Sequence, residues 1–151
     1  MEIVAQLPEV DTIVVPIGGG LISGVAIAVK SMAPHINIIG MEPAVVSRYS
    51  KSLEAGERLL LAEQKSLADA LLTLQPRERN FLIVQNLVDE IVSVDEVMIQ
   101  RGMKTFSLRV KLLRSPPLLS ALTLPCKDLY LFVKMKKCAS LFLEEMSDLK
   151  L

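Results

Sequence analysis

The chain has 151 residues and balances 17 Lys plus Arg against 17 Asp plus Glu, so its net charge is zero; 51% of it is apolar, 4% is aromatic, and it contains no Trp. That length allows one ordinary domain or part of a larger one. Zero net charge without a basic block excludes a phosphate-neutralising nucleic-acid surface. Two Cys cannot build a disulfide framework, which makes a reducing, cytoplasmic setting the expectation. Met1-Glu2-Ile3-Val4 shows no basic stretch leading into an apolar one, so no secretory signal is read there.

The apolar content first raises a membrane span, because Thr12 to Val29 carries no charge. Pro16 and Gly18-Gly19-Gly20 lie in the middle of that stretch and would leave a lone helix poorly formed, with backbone polar groups unpaired in lipid. Two elements are expected instead, and no membrane contact: a buried strand from Thr12 to Ile17, and a helix from about Leu21 to Ser31. Ile36 to Gly40 reads as a second strand, after Met32-Ala33-Pro34 has stopped the helix. Strand, glycine turn, helix, strand is a βαβ unit with a right-handed crossover in a parallel sheet. Further along, Ala44 to Ala55 reads as a helix stopped by Gly56. Ser66 to Leu74 reads as a helix capped by Ser66, with Asp69 stabilising its N-terminus. Arg77 to Asn86 is another helix, Glu90 to Val94 a third strand, and Asp95 opens a helix running towards Leu113. The fold class is therefore α/β, a mostly parallel sheet flanked by helices. After Leu113 the periodicity is lost, and residues 114 to 151 form an atypical tail holding both Cys126 and Cys138.

The sharpest chemical signal is Pro16-Ile17-Gly18-Gly19-Gly20-Leu21-Ile22-Ser23-Gly24. Glycines between a strand and a helix let the backbone approach an anion, and their N–H groups at the helix N-terminus suit a phosphate. No Gly-Lys-Ser/Thr follows, so this is not a P-loop, and it does not spell GxGxxG. The bland alternative is a tight strand-to-helix turn. His35 is expected at the surface, and Lys30, Lys51, Lys65, Lys104 and Lys111 are expected as solvated helix charges. One His and two tail cysteines assemble neither a nucleophilic triad nor a zinc site.

Val14-Val15-Pro16-Ile17-Gly18-Gly19-Gly20-Leu21-Ile22-Ser23-Gly24 resembles the glycine loop of the serine racemases and threonine/serine dehydratases, fold type II pyridoxal-phosphate enzymes. Ile38-Ile39-Gly40-Met41-Glu42-Pro43, Leu67-Ala68-Asp69-Ala70, Leu87 to Val94 and Arg109 to Leu113 resemble further segments of that family, in its order. The resemblance covers residues 1 to 113. It implies part of the large domain of such an enzyme, pyridoxal 5′-phosphate as cofactor, and β-elimination or racemisation of L-serine or L-threonine. It carries Gly18, Gly19, Gly20 and Leu21 over as the phosphate cradle, with three glycines where the family has four. It also nominates Glu42 and the Val46 carbonyl for a divalent cation such as Mg²⁺. Arg48 stands where a second carboxylate is expected, and a carboxylate beside an arginine suits a hard cation poorly; otherwise Glu42 is a solvated strand-end carboxylate. The family's reactive lysine sits in a Ser-x-Lys segment that Met1 to Leu7 does not reach, so the expectation is a chain inactive alone. The alternatives are a non-catalytic module that binds a phosphate ligand, forms a homo-oligomer or pairs with a full-length subunit, and a truncated product without a stable fold.

The tail admits a further reading. With codons begun at the third base of each codon, Arg114 to Ala121 can be read, for a suitable choice of codons, as Glu-Pro-Ser-Ala-Ala-Val-Gly. In the same displaced frame, Lys137 to Met146 with the first bases of Ser147 can be read as a strand carrying the family's Ser-Gly-Gly-Asn. The expectation is a frameshifted tail, or else a genuine C-terminal extension from alternative splicing.

Overall fold

A computed structural model describes residues 2–110 and 138–140. After a short helix α1 (Glu2–Gln6), the strand β1 spans Thr12–Pro16, the helix α2 Gly20–Met32, and the strand β2 Asn37–Pro43. The helix α3 covers Arg48–Ala55, α4 Glu78–Leu87, β3 Glu90–Val94, α5 Glu96–Val110, and β4 Cys138–Ser140. The four strands form one sheet in the order β3-β2-β1-β4, and every pairing is parallel. Val14 of β1 stands opposite Ile39 of β2, and Met41 opposite Val92 of β3.

All five residues of β1 are buried, as a β-branched run between two helical layers requires. Ile13 and Val15 pack with Ile22, Ala26 and Val29 of α2 and with Phe81 and Val84 of α4. Val14 faces the other way, into a second core with Ile39, Met41, Val94 and Met98 and Ile99 of α5. Helices thus cover both faces of the sheet, the arrangement that right-handed crossovers impose. The strand order reverses between β1 and β4, and in such sheets ligands enter beside the reversal, at the carboxyl ends of the strands. The glycine loop leaves β1 at that end. Gly40 in the middle of β2 is required by packing: a Cβ there would lie 2.6 Å from Ile17 Cδ1 and 2.9 Å from Ile22 Cδ1.

Several elements depart from expectation. The helix expected over Ala44 to Ala55 breaks at Ser47, leaving a 3₁₀ turn Ala44–Val46 before α3. The Glu42 carboxylate accepts the Tyr49 and Ser50 N–H groups, so the helix starts afresh at Arg48. Gly56 does end α3, in the left-handed region with φ 72°. The helix expected over Ser66 to Leu74 is reduced to a 3₁₀ turn Asp69–Leu71. Local side chains compete for its backbone, Ser66 Oγ accepting the Ala68 N–H and Asp69 Oδ1 the Ala70 N–H. Glu96 then draws the segment onto α5, accepting from the Ser66 hydroxyl and from the Leu67 N–H. The sequence of the tail predicts no regular element, yet β4 pairs with β1. Those three residues fall within the stretch that reads as the family's strand in the displaced frame; the rest of the tail lies outside the described residues. Among the described residues, no helix is long and apolar enough to cross a membrane.

Lys30 is not the solvated charge expected of it. Its Nζ donates to the Ile36 carbonyl and to Asp89 Oδ2, both at 2.8 Å, and its side chain is 17% exposed. Asp89 Oδ2 also accepts the Ile38 N–H at 2.7 Å, which ties the end of α4 to the start of β2. Burial pushes the Asp89 carboxyl up, but Lys30 and the Ile38 N–H outweigh it and hold the group below its usual value. A depressed carboxyl stabilises the fold above its unfolded value, about pH 3.9, and loses that contribution as pH falls through the lower folded value. Asp89→Asn is expected to cost about 1 kcal/mol at neutral pH, discounted for exposure, and to flatten stability between pH 5 and pH 3, roughly the window of carboxylate titration. Urea denaturation across pH checks both.

Candidate functional site

Ile17 continues the β1 ladder for one residue, its N–H donating to the Met41 carbonyl at 2.7 Å. The next peptide is held at both polar ends. The Ile17 carbonyl accepts Arg48 Nη2 at 2.6 Å, and the Gly18 N–H donates to the Pro16 carbonyl at 3.2 Å. Gly19 then takes φ 111°, ψ −67° as the N-terminal cap of α2, a backbone state that side chains oppose. A Cβ there would stand 2.9 Å from Asn80 Nδ2 and 3.1 Å from Tyr49 Oη. The Gly19 carbonyl points down the helix, accepting the buried Ser23 hydroxyl at 2.7 Å and the Ser23 N–H at 3.2 Å. In a trans peptide the N–H opposes the C=O, so the Gly20 N–H points out of the helix N-terminus. No side chain caps this end.

A cleft of about 180 Å³ opens there, lined by Gly18, Gly20, Tyr49, Thr73, Gln75, Arg77 and Asn80. Arg77 brings a cation, the amides and hydroxyls bring donors, and no carboxylate is among the lining residues. Together with the positive end of the α2 dipole, this is an environment for an anion. A Cβ on Gly20 would meet nothing within 4 Å, so the missing side chain leaves room that a ligand can fill. The residues therefore fit a phosphate.

Of the four cradle residues expected from sequence, Gly18 and Gly20 face the cleft, and Gly19 is buried beneath Tyr49 and Asn80. The Leu21 side chain is 46% exposed and stands outside the lining. Tyr49, Thr73, Gln75, Arg77 and Asn80 are additions that the sequence does not announce. They come from α3, from the segment that follows the 3₁₀ turn and from α4, and nothing in their local sequence marks them. Burial pushes the Tyr49 hydroxyl above its usual value, with the Glu42 charge adding to that and Arg48 opposing it. His35 lies exposed, as expected.

The cation expectation meets a different arrangement. Glu42 is 1% exposed, not solvated. Its Oε1 accepts the Ser50 N–H at 2.9 Å and the Ser50 hydroxyl at 2.7 Å, and its Oε2 accepts the Tyr49 N–H at 3.0 Å. Glu42 thus caps α3 from outside the helix, a task its own cap residue Ser47 leaves undone. Val46 is buried in the 3₁₀ turn. Arg48, fully buried, adds a positive charge beside them. Among the described residues no group of three or more His, Cys, Asp or Glu is placed to hold a metal. A carboxylate with both oxygens occupied next to a guanidinium does not fit a divalent ion.

A doubly wound parallel sheet with an uncapped glycine-led helix at its reversal point defines a nucleotide- or phosphocofactor-binding class of α/β protein. Residues 1–123 match the family of pyridoxal-phosphate dependent enzymes, and the chain belongs to it. It is 39% identical over 114 residues to the L-threonine ammonia-lyase of Geobacter sulfurreducens, covering 75% of this chain and 28% of that one. It is 40% identical over 105 residues to the serine racemase of Oryza sativa subsp. indica, covering 69% of this chain and 31% of that one. The chain thus spans about a third or less of the length of these relatives. Among solved structures, maize serine racemase superposes with a TM-score of 0.82 at 32% identity, covering 92% of this chain and 45% of that one. The processed form of threonine deaminase isoform 2 from Solanum lycopersicum does so with a TM-score of 0.82 at 29% identity, over 92% and 41%. The sheet and helices described above are those of fold type II enzymes of this family.

Two alanine substitutions separate the conformational task of the loop from its binding task. Gly19→Ala is expected to cost roughly 1–3 kcal/mol of stability, from the forbidden φ and the contacts with Asn80 and Tyr49. Gly20→Ala is expected to leave stability within about 1 kcal/mol, because its Cβ points into open space at a helix start. It is also expected to weaken the binding of phosphate ligands, since Gly20 lines the cleft. Urea denaturation and a pyridoxal 5′-phosphate titration read the two effects separately.

Proposed function

We propose that the chain forms the phosphate-gripping part of a pyridoxal-phosphate site acting on L-serine or L-threonine, by β-elimination or racemisation. The observation that supports this best is the uncapped N-terminus of α2, opening on a cleft with a cation and no carboxylate. The N–H groups of Gly20 and Leu21 would hold the phosphate, and Arg77 and Asn80 would flank it. Gly18 and Gly20, lacking side chains, let the ligand approach the backbone. When bound, the cofactor supplies an electron sink for negative charge at the substrate α-carbon. The setting proposed is the cytoplasm.

The chemistry such a cofactor would supply also needs a protein amine to anchor it and to carry the α-proton. Among the described residues no lysine lines the cleft. These residues therefore bind and orient, and do not supply the reactive amine. The chain alone is expected to bind pyridoxal 5′-phosphate saturably, to form no borohydride-fixed adduct with it, and to release no ammonia from L-serine or L-threonine. A spectrophotometric titration with an ammonia assay checks this, and turnover by the purified chain would refute it.

A second reading, a non-catalytic subunit-pairing module, draws on the outward apolar residues Ile27, Met32 and Leu82, each at least 50% exposed. In that reading they meet a second copy or a full-length homologue.

A further inference from the structure

We propose that Arg48 is a built-in cation that takes the structural place of a divalent ion at the end of β2, so that the glycine loop is set without metal. The only buried charged side chains among the described residues are Glu42 and Arg48. The oxygens that a hard cation would seek at this end of the sheet are carbonyls and carboxylates. Here they are already committed. Arg48 Nη2 donates to the Ile17 carbonyl at 2.6 Å and Nη1 to the Leu71 carbonyl at 2.8 Å, while both Glu42 oxygens accept donors from α3.

The guanidinium joins two segments that no other hydrogen bond among the described residues brings together. One is the residue immediately before Gly18, and the other ends the 3₁₀ turn Asp69–Leu71. A planar fork with several donors can grip two carbonyls at fixed separation, which an ammonium does poorly. The guanidinium also lies over the Tyr49 ring, 5.2 Å from its centroid, and Tyr49 lines the cleft. Arg48 therefore touches both the entry to the loop and one wall of the cleft without lining the cleft itself. Its Nε makes no hydrogen bond to another protein group among the described residues. Arg48 is a positioning residue. Its charge is offset by Glu42, and Glu42 in turn fixes the start of the helix that carries Arg48.

This inference rests on the cleft being the cofactor phosphate site only where it concerns affinity; the metal response is independent of that reading. The test uses the whole 151-residue chain, with thermal melting and pyridoxal 5′-phosphate titration in excess Mg²⁺ and in EDTA. The wild-type midpoint and affinity are expected to be the same in both. Arg48→Met, similar in length but uncharged, is expected to lower the midpoint by roughly 5 °C and to weaken the cofactor about tenfold, with no recovery in Mg²⁺. Arg48→Lys, which keeps the charge without the fork, is expected to recover part of the midpoint and less of the affinity. Should Arg48→Met fail to fold, Arg48→Lys and the wild-type metal comparison carry the test. A wild-type midpoint or affinity raised by Mg²⁺ overturns the proposal. So does an Arg48 variant that melts lower but binds the cofactor like wild type, since that marks a purely structural residue. A wild type that binds no cofactor refutes the proposed function and leaves the metal arm standing.

Discussion

The strand β1 is sealed on both faces, and the rest of the molecule follows from that constraint. Ile13 and Val15 close one core and Val14 the other, so the strand cannot turn a polar side chain outward along its length. Parallel pairing to both β2 and β4 places it inside the sheet and brings its carboxyl end to the point where strand order reverses. What remains free there is backbone. Ser23 holds the Gly19 carbonyl down the axis of α2, which turns the neighbouring N–H toward the cleft. On the proposed reading, recognition by main-chain donors follows from how completely the strand is buried, and the glycines are what the approach of a ligand to those donors would demand.

Two buried charges cost desolvation that their mutual attraction repays only with complete hydrogen bonding. Glu42 achieves it with three donors from α3. Arg48 falls short by its Nε, and burial draws its guanidinium below the usual value while Glu42 and Tyr49 push it back up. Together these groups fix how α3 leaves β2 and where Tyr49 lands over Gly19. The pair links strand ends, a helix start and a loop wall within one small region of the sheet's carboxyl edge. Lys30 and Asp89 do comparable work at the opposite, amino end of β2, but the Asp89 side chain is 40% exposed, and screening leaves the pair less to contribute.

The βαβ unit was legible because its signals are local: a β-branched run, glycines and a proline stop. The position of β3 and the stop at Gly56 were legible for the same reason. The broken helix near Ser47 was not, because its cause is a carboxylate several residues earlier reaching forward to the Tyr49 and Ser50 amides. The collapse of Ser66 to Leu74 into a single turn likewise depends on Glu96, distant in sequence. Only half of the site could be read in advance. The glycine loop announces itself, whereas Thr73, Gln75, Arg77 and Asn80 reach the cleft through the tertiary placement of α4 and of the segment before it. Lys30 and Glu42 are enclosed by backbone groups, the Ile36 carbonyl and the α3 amides, that an isolated charged residue in a sequence does not reveal.

The central claim is that the N-terminus of α2 binds phosphate through the backbone. Amide-resolved NMR of the ¹⁵N-labelled chain, titrated in parallel with pyridoxal 5′-phosphate and with pyridoxal, tests it most directly. Saturable shifts are expected at Gly18, Gly19, Gly20 and Leu21 with the phosphate ester, and little change at those amides with pyridoxal. Equal shifts with both compounds, or shifts that leave these amides unmoved, would contradict it.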